Sequence, residues 1–136
     1  MSGTQPASEC AAEYAALRQA EAISPKLLYA IDARSYESGS PVHDLAGLTA
    51  IARAAVDAGA GHVLDTSHVV FPNGAITLVL ILAESHLSIH TWPEENLVAI
   101  DLFSCGAIDG DVVIARLIEG LRLESVKVSR LPRGIT

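Results

Sequence analysis

Apolar residues recur along this chain with two different periods, and the places where the period changes mark its elements. Alternating or continuous apolar runs at 26–33, 62–70, 75–83, 85–92, 97–104 and 125–131 predict strands. Pro72-Asn73-Gly74 and Pro93-Glu94-Glu95-Asn96 break the middle four, and links this short favour antiparallel neighbours. Two stretches switch to helical spacing. Leu45, Leu48, Ala52, Ala55 and Val56 share one face of a helix that Asp44 can cap and Gly59 can stop. Val113, Ile114, Leu117, Ile118 and Leu121 share a face of a second helix that begins near Asp109 or Asp111. The pattern predicts an α+β domain, a two-layer sandwich of a mostly antiparallel sheet with helices packed on one face. The other sheet face then needs a cover or a partner chain.

A length of 136 residues suits one domain. Residues 1–25 are rich in Ala, Glu and Ser and end at Ser24-Pro25, and a helix over 9–22 would present a face made mostly of alanine. They are expected to form an N-terminal extension, leaving 26–136 as the single folded domain. Half of the residues are hydrophobic and 18% are charged, a composition that folds. Nine Lys plus Arg against sixteen Asp plus Glu leave a net charge of −7, the wrong sign for nucleic acid or an anionic membrane surface. The apolar run 75–83 is under half of a bilayer span, and no basic segment precedes an apolar stretch at the N-terminus. A cytoplasmic protein is the expectation, with Cys10 and Cys105 as free thiols.

Candidate chemistry concentrates at 84–94, ESHLSIHTWPE, where two serines, two histidines, a tryptophan and carboxylates crowd together. In an extended segment His86, Ser88 and His90 share one face, while Ser85, Leu87 and Ile89 share the other. Ser85 and His90 therefore point apart, and no G-x-S-x-G elbow is present, which argues against a serine hydrolase. His86, His90 and Cys105 are acceptable zinc ligands, but the chain has neither HExxH nor CxxC, and no metal is expected.

ESHLSIHTWPE followed by VAIDLFSCG resembles the bacterial and archaeal S-adenosylmethionine decarboxylase family, most clearly over 84–106 and more loosely over 44–130. The resemblance implies a proenzyme that cuts itself at Glu84-Ser85 into 1–84 and 85–136. Ser85 would attack the preceding carbonyl, and elimination from the resulting ester would leave a pyruvoyl group derived from Ser85 as the cofactor. His90 matches the residue that takes the α-proton, a task suited to imidazole near neutral pH. Once cut, the new end at residue 85 is expected to turn toward His90. Cys105 matches the acid that returns a proton to the substrate carbon, and a thiol is mostly protonated at neutral pH. Thr77 stands where the family usually has a serine that assists processing. Phe71, Trp92 and Glu94 match positions that line the substrate pocket.

The implied function is decarboxylation of S-adenosylmethionine in polyamine (spermidine) synthesis. Three departures leave a pyruvoyl-dependent ornithine or arginine decarboxylase open as the alternative, with a non-catalytic homologue behind it. Leu78 replaces a common glycine and is expected to fill space near the pocket wall. The segment 68–74 is one residue out of step, so the stacking aromatic is either Phe71 or is replaced by Val70. Glu95 stands in place of an aromatic and would suit a cationic substrate. The expected partners are an amino-acid-type substrate and a second copy of the chain, in a homodimer with the pocket at or near the interface.

Overall fold

Six antiparallel strands form one sheet in the order β2-β3-β4-β5-β1-β6, and two helices cover one face of it. The α+β two-layer expectation therefore holds. The computed structural model describes residues 26–36 and 39–134, and the expected helix over 9–22 and Cys10 lie outside the described residues. The strands are β1 (Lys26–Arg34), β2 (Val63–Val70), β3 (Ile76–Leu82), β4 (Ser85–Trp92), β5 (Leu97–Ser104) and β6 (Glu124–Arg133). The helices are α1 (Leu45–Ala58) and α2 (Gly110–Gly120).

Both helices start where a carboxylate can satisfy a free backbone donor. Asp44 accepts from the Gly47 N–H at 2.9 Å, and Asp109 accepts from the Val112 N–H at 3.2 Å. Their apolar faces meet the inward side chains of the sheet. Leu48, Leu117 and Leu121 pack with Ile31, Leu78, Leu80, Leu87, Ile89, Ile100 and Leu102, all almost fully buried. Each such side chain contributes about 1.5–3 kcal/mol on leaving water. The strands β2 to β5 run as a meander. β1 pairs with both β5 and β6, placing Ile31 opposite Ile100 on one side and Val128 on the other.

Alternation puts the remaining side chains of β3, β4 and β5 on the face without helices. Thr77, Ser88, His90 and Trp92 stand there, beside apolar Ile81, 45% exposed, and Leu131, 55% exposed. The link between β3 and β4 is only Ala83-Glu84, because Leu82 already pairs with Ser85.

Two strands across the sheet from β4, on β1, the Tyr29 ring lies under Arg130, whose guanidinium is 5.4 Å from the ring centre and donates through Nε and Nη2 to Asp111 at 3.1 and 2.7 Å. Burial first, and then the Asp111 charge, push the Tyr29 phenol above its ordinary range. This contact joins β1 and β6 to the first turn of α2, and it needs a glycine: a Cβ at residue 110 would sit 2.3 Å from Tyr29 Cε1. Gly110→Ala should cost about 1–3 kcal/mol in urea or thermal unfolding. Gly39→Ala, where a Cβ meets nothing within 4 Å, should shift stability by less than about 0.5 kcal/mol.

Candidate active site

The two-residue turn before β4 brings three expected residues together. Cys105 follows β5 directly after Ser104, which pairs with Ser85, so register alone carries its side chain to the turn. The buried Cys105 thiol donates to the Glu84 carbonyl oxygen at 3.0 Å, and its Sγ lies 3.2 Å from Ser85 Oγ. A thiol has one proton. With that proton on the carbonyl, the Ser85 hydroxyl is the donor of the second contact. Ser85 itself has φ +134°, outside the regions that side-chain-bearing residues favour, at a cost of about 1–3 kcal/mol. A strained serine thus stands next to a carbonyl already polarised by a hydrogen bond, the arrangement that an acyl shift from nitrogen to oxygen requires.

Glu84 is buried, and its carboxylate is held by His62. The His62 backbone N–H donates to Oε1 at 2.9 Å, and Nδ1 lies 2.7 Å from Oε2. Sequence reasoning missed His62. It is 22 positions from Glu84, and no spacing rule links a residue after Gly61 to a hairpin turn.

A second cluster lies further along β4. Thr77 pairs with His90, and Thr77 Oγ1 lies 2.6 Å from His90 Nδ1, fixing the ring and leaving Nε2 for chemistry. Trp92 meets the His90 ring at 4.3 Å between centres and Phe71 meets it at 6.0 Å, both near edge-on. With Pro72, Asn73 and Ala75 these residues line an apolar hollow of about 410 Å³. Of the two alternatives at the shifted segment, Phe71 is the one that reaches the hollow. Val70 is 52% exposed on β2 and lies outside the lining.

Glu94 touches the rim through Asn73 Nδ2, at 3.4 Å. Glu95 is exposed in a short 3-10 turn, Pro93–Glu95, where its carbonyl accepts from Arg34 Nη1 at 2.6 Å. Leu78 corrects an expectation. Its neighbour Thr77 stands on the helix-free face beside His90, so alternation turns Leu78 into the helix-covered core, where it is 1% exposed and outside the lining of the hollow.

The two clusters do not meet within one chain. Five steps along an extended strand separate Ser85 from His90, roughly 16 Å at about 3.3 Å per step. One freed residue at the end of a strand cannot span that gap, which corrects the expectation that a new end at 85 turns toward its own His90. His86 packs edge-on against Phe103 at 5.8 Å rather than beside Cys105. Among the described residues, no group of three His, Cys, Asp or Glu side chains is placed to hold a metal ion.

Known proteins share this sequence pattern and this fold. The sequence profile of S-adenosylmethionine decarboxylase matches residues 28–134. S-adenosylmethionine decarboxylase proenzyme 2 of Bacillus cereus is 40% identical over 82 residues, covering 60% of this chain and 67% of the relative. The S-adenosylmethionine decarboxylase proenzyme of Thermotoga maritima is 41% identical over 83 residues, covering 60% of this chain and 63% of the relative. The crystal structure of the adenosylmethionine decarboxylase from Aquifex aeolicus superposes with a TM-score of 0.69 at 25% identity, over 83% of this chain and 93% of that one. With the family profile matched over residues 28–134 and the fold shared with such an enzyme over 83% of this chain, the chain belongs to the S-adenosylmethionine decarboxylase family, a family of carboxy-lyases.

Proposed function

We propose that this protein is a self-processing, pyruvoyl-dependent decarboxylase of S-adenosylmethionine that serves polyamine synthesis in the cytoplasm. The observation that carries the reading is the contact of Cys105 with both the Glu84 carbonyl and the Ser85 hydroxyl, at 3.0 and 3.2 Å. Ser85 Oγ attacks the Glu84 carbonyl carbon while the Cys105 thiol holds the developing oxyanion. Collapse breaks the C–N bond and gives an ester with a free amine on residue 85. Removal of the α-proton then expels the Glu84 carboxylate, separating 1–84 from 85–136 and leaving a dehydroalanine end. Its imine tautomer adds water and loses ammonia, giving pyruvoyl.

The residues present fit that group: a serine at the cut, a thiol beside it, and a cut that falls at the first residue of a strand, so that the new end is a strand end. When formed, the pyruvoyl supplies a carbonyl that condenses with the substrate amine and accepts the electrons released as carbon dioxide departs. Cys105 is placed to return a proton at that end of the strand. The hollow beside His90 offers Phe71 and Trp92, aromatic surface that suits a nucleoside better than a bare basic amino acid. Glu94 at the rim can accept from a ribose hydroxyl. Glu95, the residue that would have favoured ornithine or arginine, is exposed in its turn and outside the lining of the hollow.

The gap between Ser85 and His90 supports a homodimer of processed protomers, each with a single domain over 26–136. Two copies packed through their helix-free faces would bury Ile81 and Leu131. A two-fold axis would carry the partner's His90 and Thr77 over Ser85 of the first copy. The partner's His90 would then take the α-proton.

Two outcomes test this. Carbon dioxide release from carboxyl-labelled S-adenosylmethionine, ornithine and arginine should favour S-adenosylmethionine by about 100-fold or more in kcat/KM; preference for ornithine or arginine would overturn the substrate assignment. Ser85→Ala and His90→Ala, each inactive alone, should recover about a quarter of wild-type activity when co-expressed, because half of the dimers are mixed and each mixed dimer holds one intact site. No recovery would mean that each site is built from one chain.

A further inference from the structure

We propose that His62 is a positioning residue for the self-cleavage. The inference rests on cleavage at Glu84-Ser85 and assigns the part of the fold that aims the scissile carbonyl. The Glu84 side chain is only 3% exposed, and residue 62 meets both of its carboxylate oxygens, through the backbone N–H at 2.9 Å and through Nδ1 at 2.7 Å. An ionised Glu84 carboxylate only accepts, and in that form the Nδ1 contact is a hydrogen bond donated by His62. Residue 62 also accepts the Ala83 N–H at its own carbonyl, at 2.9 Å. Three hydrogen bonds therefore fasten the two-residue turn to one point.

That point is itself immobile. A Cβ on Gly61 would lie 2.7 Å from Ile108 Cδ1 and 2.8 Å from Val56 Cγ1, so the backbone entering residue 62 is pressed against the core. Glu84 is thus held from two sides. His62 grips its side chain, and Cys105 grips its carbonyl at 3.0 Å. Rotating the peptide plane away from the thiol would pull the carboxylate off both donors. Without the ring, one oxygen of a buried carboxylate lacks its donor and the side chain must reorient toward water, taking the carbonyl with it. The catalytic groups remain Ser85 and Cys105, and His62 acts on them only through Glu84.

The test follows loss of the full-length chain after cell-free synthesis, on denaturing gels. His62→Ala should slow processing about ten-fold, the effect of losing one hydrogen bond to a charged group. His62→Asn, whose amide N–H can stand in for Nδ1–H, should stay within about three-fold of wild type, whereas His62→Asp, of the same shape but acceptor-only, should be as slow as His62→Ala. Added imidazole should speed His62→Ala and leave wild type unchanged, since the His62 side chain is 45% exposed and its place is reachable from solvent. Melting temperatures identify any variant that fails to fold, and the Asn–Asp pair then decides alone. Wild-type rates in His62→Ala, or equal rates in His62→Asn and His62→Asp, would overturn the inference. A wild-type chain that never cleaves would overturn it together with the cleavage reading, and it would be recognised before any variant is compared.

Discussion

A serine hydroxyl lies only a few bonds from the carbonyl carbon before it, yet ordinary strand geometry holds the two apart and leaves the amide stabilised by resonance. What this fold imposes is a peptide plane that cannot relax. The Glu84 carbonyl is trapped in a two-residue turn, with the Cys105 thiol on its oxygen and Ser85 forced to φ +134°. The turn has no spare residue to absorb that strain, because Leu82 and Ser85 are already paired. The strain is sustained by neighbouring strands on both sides of β4 and by a core of buried aliphatic side chains. Cutting the chain after Glu84 would release it, so the folded precursor is the state from which cleavage runs downhill.

The same sheet explains why the chemistry is divided. β4 carries Ser85 at one end and His90 near the other, and a strand is too stiff to fold back on itself. β4 thus carries two clusters, one around Cys105 at its start and one around Thr77 and the aromatic hollow further along, on the helix-free face. Packing two such faces together would remove exposed apolar side chains from water and complete both sites at once.

Much of the architecture was legible because alternation and capping are local. Asp44 and Asp109 stand as caps where they were expected, and the predicted strand limits fall within about three residues of those observed. The insertion of β1 between β5 and β6 was not legible, since pairing between distant strands leaves no periodic trace. At the site, the resemblance over 84–106 pointed to Ser85 and Cys105, and register then brought them within 3.2 Å. Parity correctly separated the faces of β4, but it says nothing about distance along the strand. The rise per residue, applied to positions 85 and 90, would have exposed the gap. The inward turn of Leu78 was equally available from alternation with Thr77. His62 was invisible, because its link to Glu84 exists only once the loop before β2 is folded onto the turn.

Intact mass spectrometry of the purified, folded full-length protein bears most directly on the self-cutting bond. Two fragments divided between Glu84 and Ser85, the second lacking a free amine and blocked to Edman degradation, are the predicted outcome. One unbroken chain with an ordinary serine at position 85 would contradict it.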